Sequence, residues 1–398
     1  MIQVTDIAII SGARTPMGRY CGKLRDFTAM DLAAIASQEA IRRSGIDSKE
    51  FDHAVFGNAQ QTSGDALYGA RHVALKAGLP IEAPALTVNR LCGSGMQSLV
   101  NAAQMIQLGE AGTVLAGGME SMSQAPHVIR GARWGLGLGE GKMEDSLMVA
   151  LLDSYCGLYM ANTAELYAEQ HGVTRDKMDE FAVQSQQKAG AAQQACRLHE
   201  EIAPVALRNK KGEPTGEMFE KDDHLRPETT METLAKLKPA FGKNGTVTAG
   251  NASGIVDGGA AVVMMTLPQA EKRGLKPLGR IVSWGIAGVD PKIMGSGPVP
   301  ASRLALKRAG LKLEEIDLIE VNEAFAGQYL AVEKELGLDR SKVNVNGGAI
   351  ALGHPLGATG TRLVITLLYE LRRRKAKYGL ATACIGGGQG IAMIVESL

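Results

Sequence analysis

A surplus of charge is the first thing this 398-residue chain lacks. Its 43 Lys and Arg residues face 42 Asp and Glu residues, which leaves a net charge of +1. Such a balance gives no global field for nucleic acid or for an anionic membrane surface. Long apolar runs are missing too. No stretch of about 18 apolar residues exists, so no membrane-spanning helix is expected. The opening stretch MIQVTDIAIISGARTP has neither a basic segment nor a long apolar core, so a secretory leader is not expected. Cysteines are few and odd in number: Cys21, Cys92, Cys156, Cys196 and Cys384. No C-x-x-C pair and no Cys/His ligand spacing occurs, which argues against a disulfide framework and a metal site. A reducing, cytosol-like compartment is expected. Neither a Walker loop nor a strand followed by G-x-G-x-x-G is present, so nucleotide-binding loops of those kinds are excluded.

Glycine, in contrast, is abundant, with 49 residues. Glycine serves where backbone must approach backbone or ligand, or where φ is positive. The chain is 45% hydrophobic and 21% charged, as a globular protein is. Its length predicts two or three domains. One repeat organises them. AIRRSGIDSKEFDHAVFGN from Ala40 aligns without gaps with ALKRAGLKLEEIDLIEVNE from Ala305. Ala40, Arg43, Gly45, Glu50 and Asp52 match Ala305, Arg308, Gly310, Glu315 and Asp317. Each copy reads as a helix end, a glycine cap, a connector and a strand. The following units also correspond in order, each a strand, a glycine-rich turn, a helix and a strand: Met96, Leu99, Val100, Ala103 and Ile106 mark the apolar face of one helix, which Gly109 ends, and the other runs from about Ala358 to Lys377. Strands alternating with helices predict an α/β fold with largely parallel pairing. The expected domains are a first half at 1–119, an inserted loop-and-helix region at 120–250, a return to the first half at 251–271, and a second half at 272–398.

Chemistry concentrates in glycine-rich turns. Cys92, in NRLCGSGMQ, stands where a helix begins. Unpaired N–H groups and the helix dipole there stabilise an anion and favour thiolate. His354, in NGGAIALGHPLGATG, occupies the matching turn of the second half. Two halves packed about a pseudo-twofold axis bring these turns together, and a Cys beside a His is an activated nucleophile. Cys384 precedes three glycines in CIGGGQG, whose N–H groups are free to face an oxyanion. Asn322 ends the repeated strand in NEAFA. Ser253 and its neighbours in VTAGNASGIVDGGAA line a ligand tunnel or form a tightly packed turn.

Together these motifs, with GPVPASR, occur in the order and spacing of the thiolase family, which the whole chain resembles. The resemblance implies a five-layered αβαβα fold of two βαβαβαββ halves with a loop domain inserted in the first. It implies that Cys92 becomes acylated, that His354 activates it, and that Cys384 exchanges the α-proton. The N–H groups of Cys92 and Gly386 would hold one oxyanion. Asn322 would hold a water that, with His354, holds the other. Positions matching the coenzyme A contacts are Leu151, Met160, Arg226, Phe241, Ala249, Ser253, Met294, Ala324 and Phe325. One position departs from the short-chain pattern: YMANTAE has Tyr159 where His is usual and Ala161 where Gly is usual. Acyl-chain preference is what this departure puts in question.

The implied activity is reversible condensation of two acetyl-CoA to acetoacetyl-CoA, or thiolytic cleavage of 3-ketoacyl-CoA. A 3-ketoacyl-CoA thiolase of broader chain length in fatty-acid metabolism is the alternative. A decarboxylating β-ketoacyl synthase would use one Cys with two His or with His and Asn. A non-catalytic acyl-CoA-binding protein would lack Cys92, His354 or Cys384. Coenzyme A thioesters are expected as substrates, with no permanently bound cofactor, no metal, no nucleic acid and no membrane partner. A cytoplasmic homo-oligomer is expected, a tetramer, with a dimer as the fallback.

Overall fold

The computed structural model describes residues 6–209, 211–242 and 244–398. The first half runs β1 (Ile7–Arg14), α1 (Ala29–Ser44), β2 (His53–Asn58), α2 (Ala70–Ala77), β3 (Ala85–Val88), α3 (Ser94–Leu108) and β4 (Val114–Ser121). The insertion carries α4 (Met160–Gln170) and α5 (Arg175–Gln194), and β5 (Val256–Thr266) returns to the first half. The second half runs β6 (Gly279–Gly288), α6 (Pro298–Ala309), β7 (Leu318–Val321), α7 (Ala326–Leu336), α8 (Leu356–Arg374), β8 (Tyr378–Ile385) and β9 (Gln389–Ser397).

The main strands form one hydrogen-bonded path, β7-β8-β9-β6-β1-β5-β4-β2-β3. The half-sheets join where β1 pairs with β6 through Ile7–Ile281, Ala8–Arg280 and Ile9–Gly279. Pairing is less parallel than the helix–strand alternation predicts. Only the outer pairs β2–β3, β2–β4 and β7–β8 are parallel. The central strands run antiparallel. The reason for β9 is local: it follows β8 through a glycine turn, with φ +77° at Gly387 and +76° at Gly388, and a tight turn forces antiparallel pairing.

Period-two patterning divides each half-sheet between two layers. Val262 and Met264 of β5 face an inner core shared with Leu99 of α3 and Leu363 of α8. Ala261, Val263 and Met265 face an outer core with Met30 of α1 and Val73 of α2. In β9, Ile391, Met393 and Val395 turn inward. Ala392 and Ile394 turn outward to Leu306 of α6 and Leu330 of α7. The result is five layers, αβαβα, with α3 and α8 in the middle.

The repeat has a structural meaning. Gly45 and Gly310 cap α1 and α6 in the left-handed conformation, at φ +69° and +68°. Asp52 then accepts the Gly112 N–H at 2.7 Å. Its counterpart Asp317 accepts the Lys377 and Tyr378 N–H groups at 2.8 and 2.9 Å. Each aspartate thus anchors the approach to the next strand of its own half-sheet. The copies diverge at the third strand. In the second half it shrinks to one bridge, Ile319–Val343. Asn344, at φ +44°, caps the β7 edge with its side chain, accepting from Val321 N–H and donating to Val321 C=O, both at 2.9 Å.

The insertion is tied to both halves. Phe181 of α5 stacks on Tyr329 of α7 at 4.1 Å between ring centroids. At the end of β1, the fully buried Arg14 donates to Glu201 at 2.6 Å and to both Asp222 oxygens at 2.7 and 2.9 Å. One guanidinium fork thus serves two buried carboxylates with short, charge-assisted hydrogen bonds.

At the centre the starts of α3 and α8 touch backbone to backbone. A Cβ at Gly95 would lie 2.6 Å from the Gly357 carbonyl. One at Gly360 would collide with the Met96 backbone N–H. Thr361 donates to the Gly95 carbonyl at 2.9 Å and fixes the contact. Gly360→Ala therefore forces these helices apart, and overpacking of this kind costs about 1–3 kcal/mol. Urea unfolding should show that loss; an unchanged midpoint would mean that the contact is not tight.

Candidate active site

The turn before α3 is strained and pinned. Leu91 lies at φ +47°, costly for a non-glycine residue. The Asn89 side-chain oxygen Oδ1 accepts its N–H at 2.8 Å. Ser94 Oγ accepts the Arg90 N–H at 2.8 Å and donates to the Leu91 carbonyl at 2.7 Å. Arg90 reaches Gln97 and, across to the second half, Gln389, both at 2.7 Å. Cys92 is thereby presented at the floor of a mostly apolar pocket.

His354 and Cys384 line the same pocket. The His354 backbone N–H donates to the Gly254 carbonyl at 2.9 Å. Its Nδ1 lies 2.6 Å from Thr359 Oγ1, which donates its own proton to the Pro355 carbonyl at 3.0 Å. A hydroxyl has one proton, so Nδ1 must be the donor in that contact. This network assigns the proton to Nδ1 and makes Nε2 the acceptor. Asn322 Nδ2 approaches Nε2 at 3.3 Å, while its Oδ1 is buried without a protein partner.

Burial sets the protonation states. It pushes His354 down to about 3, and Arg362 adds to the effect. Burial pushes the Cys92 thiol up to about 11, against the pull of the Gly386 and Cys92 N–H groups, while Glu120 also raises it. The N–H groups at this helix start do pull Cys92 toward thiolate as expected, but desolvation outweighs them and the thiol is not the thiolate that the helix start alone predicts. Cys384 rises further still, by burial and the neighbouring Cys92. The resting site is neutral: two thiols and an imidazole base.

Of the expected coenzyme A contacts, Leu151, Tyr159, Met160, Phe241, Ser253, Met294, Ala324 and Phe325 line this inner pocket. Arg226 and Ala249 do not reach it. They line an outer cleft that abuts the inner pocket across Phe241, Ala252, Ser253, Gly254 and Ile255, which line both. Tyr159 packs on Phe241 with ring centroids 5.3 Å apart. Asn322 stands behind His354, off the pocket wall. Gly386 aims its N–H at Cys92. Sequence reasoning missed the wall residues Met122, Ile255 and Leu356, as well as Thr359 and Glu120. Leu356 and Thr359 fall in the glycine-rich stretch around His354 and Ile255 in the one around Ser253, whereas Met122 and Glu120 stand outside the quoted motifs.

Family models of the thiolase N-terminal and C-terminal domains match residues 7–267 and 275–397. The human mitochondrial 3-ketoacyl-CoA thiolase is 52% identical over 398 residues, all of both chains. The acetyl-CoA acetyltransferase of Cupriavidus necator is 49% identical over 394 residues, 99% of this chain and all of that one. The crystal structure of the human mitochondrial enzyme in complex with CoA superposes with a TM-score of 0.96 at 51% identity, covering 99% of this chain and 98% of that one. The chain belongs to the thiolase family. It is an acyltransferase that joins acyl-CoA thioesters by Claisen condensation and, in reverse, cleaves 3-ketoacyl-CoA by thiolysis.

Alkylation tests the neutral resting site. With the Cys92 thiol raised to about 11, thiolate grows as pH rises toward that value. The rate of Cys92 alkylation by iodoacetamide should keep climbing above about pH 9. A plateau already reached near neutral pH would instead reveal a resting thiolate–imidazolium pair.

Proposed function

We propose that catalysis runs through an acyl-Cys92 intermediate, with His354 as its base and Cys384 as the acid and base for carbon. The observation that carries this is the convergence of both thiols and the imidazole on one pocket floor. In thiolysis, Cys92 gives its proton to His354 Nε2 and attacks the 3-keto carbon. The carbon–carbon bond breaks, and the departing enolate of acetyl-CoA takes the Cys384 proton. Coenzyme A then gives its thiol proton to the Cys384 thiolate and attacks the acyl-Cys92. Cys92 leaves and recovers the proton held by His354. Protons balance without exchange with solvent. The N–H groups of Cys92 and Gly386 hold the oxyanion at the acyl group. Asn322 and His354, through a water, hold the one at the thioester enolate. A buried thiol with a strongly raised pKa yields a strong base once deprotonated, as removal of a weakly acidic α-proton requires.

Arg226 and Ala249 meet the nucleotide end of coenzyme A, and the inner-pocket residues meet the pantetheine and acyl chain. Coenzyme A thioesters serve as substrates, and no resident cofactor takes part. The five free thiols, two of them at the site, fit a reducing compartment, which we place in the cytoplasm.

Cys92→Ala should abolish both acylation and turnover. Cys384→Ala should still take a labelled acetyl group from acetyl-CoA on Cys92, while condensation falls about 10²- to 10⁴-fold. Intact-protein mass and acetoacetyl-CoA formation read the two steps. Label on Cys384 in the wild type, or wild-type condensation by Cys384→Ala, contradicts the assignment.

Acetyl and acetoacetyl thioesters are the substrates we propose first, with longer 3-ketoacyl-CoA as the second reading. Relatives of both names stand at similar identity, so the pocket wall carries the choice. Tyr159, against Phe241, narrows the acyl end. Tyr159→His should change the ratio of kcat/KM between acetoacetyl-CoA and longer 3-ketoacyl-CoA by about 10- to 200-fold. A constant ratio across chain lengths would place Tyr159 away from the acyl group.

A homo-oligomer, a tetramer in our reading, is supported by two surfaces. The outer edge of β3 is unpaired among the described residues, with exposed Leu67, Tyr68, Ile81 and Leu86 in and around the strand. The segment at 130–142 exposes Trp134 and Leu138. Light scattering at micromolar concentration should give the mass of four chains; a monomer mass would refute assembly altogether.

A further inference from the structure

Glu120 ends β4 and is fully buried, yet no chemical step described above uses it. Its carboxylate accepts four hydrogen bonds. One oxygen takes the Asn58 side-chain amide at 2.8 Å and the Gln60 N–H at 3.0 Å. The other takes the Ala59 N–H at 3.1 Å and the Gly357 N–H at 2.8 Å. Three donors belong to the first half, at the end of β2. The fourth belongs to the second half, in the first turn of α8, three residues beyond His354.

The segment at the end of β2 also holds the Cys92 turn. Asn89 donates its amide to the Ala59 carbonyl at 3.1 Å. The same side chain accepts the N–H of the strained Leu91 at 2.8 Å. A continuous chain of contacts thus runs from Leu91 through Asn89, Ala59 and Glu120 to Gly357. It crosses between the halves at one side chain. Four donors meet that side chain and, among the described residues, no hydrogen-bond acceptor does, an arrangement that suits a carboxylate and not an amide. Burial pushes its pKa up to about 7, against the pull of the Gln60, Gly357 and Ala59 N–H groups. Its place at the start of α8 sets it against the positive end of the helix dipole.

We infer that Glu120 is a positioning residue for acyl transfer, which fixes Cys92 and His354 relative to each other across the boundary between the halves. The inference rests on the proposed roles of those two residues. A displacement of about an ångström between reacting groups costs on the order of 10²-fold in rate. A clamp needed for folding alone would lower the number of working sites and leave the rate at each one unchanged.

The test is acylation of the full chain by acetyl-CoA labelled in its acetyl group, followed by rapid quench and intact-protein mass. The final label counts working sites, and the rate constant reports each of them. Glu120→Gln turns an amide N–H₂ toward N–H donors. It should slow acylation at least about tenfold per working site, with KM for acetyl-CoA within about twofold of wild type. Glu120→Asp keeps the charge on a shorter arm and should fall between. A wild-type rate per site in Glu120→Gln, with any loss confined to the number of sites, overturns the inference. Should Glu120→Gln not fold, Glu120→Asp carries the same comparison, and a wild-type rate there overturns it. Label that fails to reach Cys92 in the wild type would instead refute the roles assigned to Cys92 and His354.

Discussion

Everything at the centre of this molecule depends on an approach that side chains would prevent. The starts of α3 and α8 meet through Gly95, Gly357 and Gly360, with Gly118 of β4 packed against the same Gly357 carbonyl. Interiors are dense and cannot absorb even one extra methyl group without displacement. The closeness of these backbones is what lets a turn from each half supply one part of a single site. Cys92 arrives with α3 and His354 with α8. Duplication supplied two similar turns, and the glycines allowed them to share one pocket floor.

The same burial that makes the site possible decides its chemistry. A helix start and a neighbouring imidazolium both pull a thiol toward thiolate. Here desolvation disfavours charge on the three reacting groups, and the thiols and imidazole rest neutral. Thr359 suits that economy. Its neutral oxygen orients the His354 ring and selects the tautomer without stabilising an imidazolium as a carboxylate would. A proton accepted at Nε2 is held weakly and is easily returned to the departing thiolate.

Much of this could be read from sequence because it is written in local rules. Gly45, Gly109 and Gly310 announce helix ends, and each adopts the left-handed cap expected of it. Cys92 and His354 stood out because polar, glycine-rich surroundings are wrong for core residues. The rest was not local. Glu120 looks like any acidic residue near a strand end. Its meaning comes from donors 60 residues before it and 237 after it. The third strand of the second half was expected from the repeat but yields to Asn344, whose side chain replaces strand pairing by a device that periodicity does not register. The antiparallel centre of the sheet likewise follows from how distant segments return.

That replacement leaves the sheet with two unlike ends. At one end Asn344 occupies the hydrogen-bonding groups of β7. At the other, β3 has no neighbour among the described residues. A ribbon open at both ends can polymerise, because each added copy renews the edge it consumed. A ribbon blocked at one end cannot. Two copies that meet through β3 consume both free edges, and the joined sheet terminates in asparagine caps on either side. With one edge so occupied, edge-to-edge pairing of this sheet through β3 would close at two copies and could not extend into a fibre.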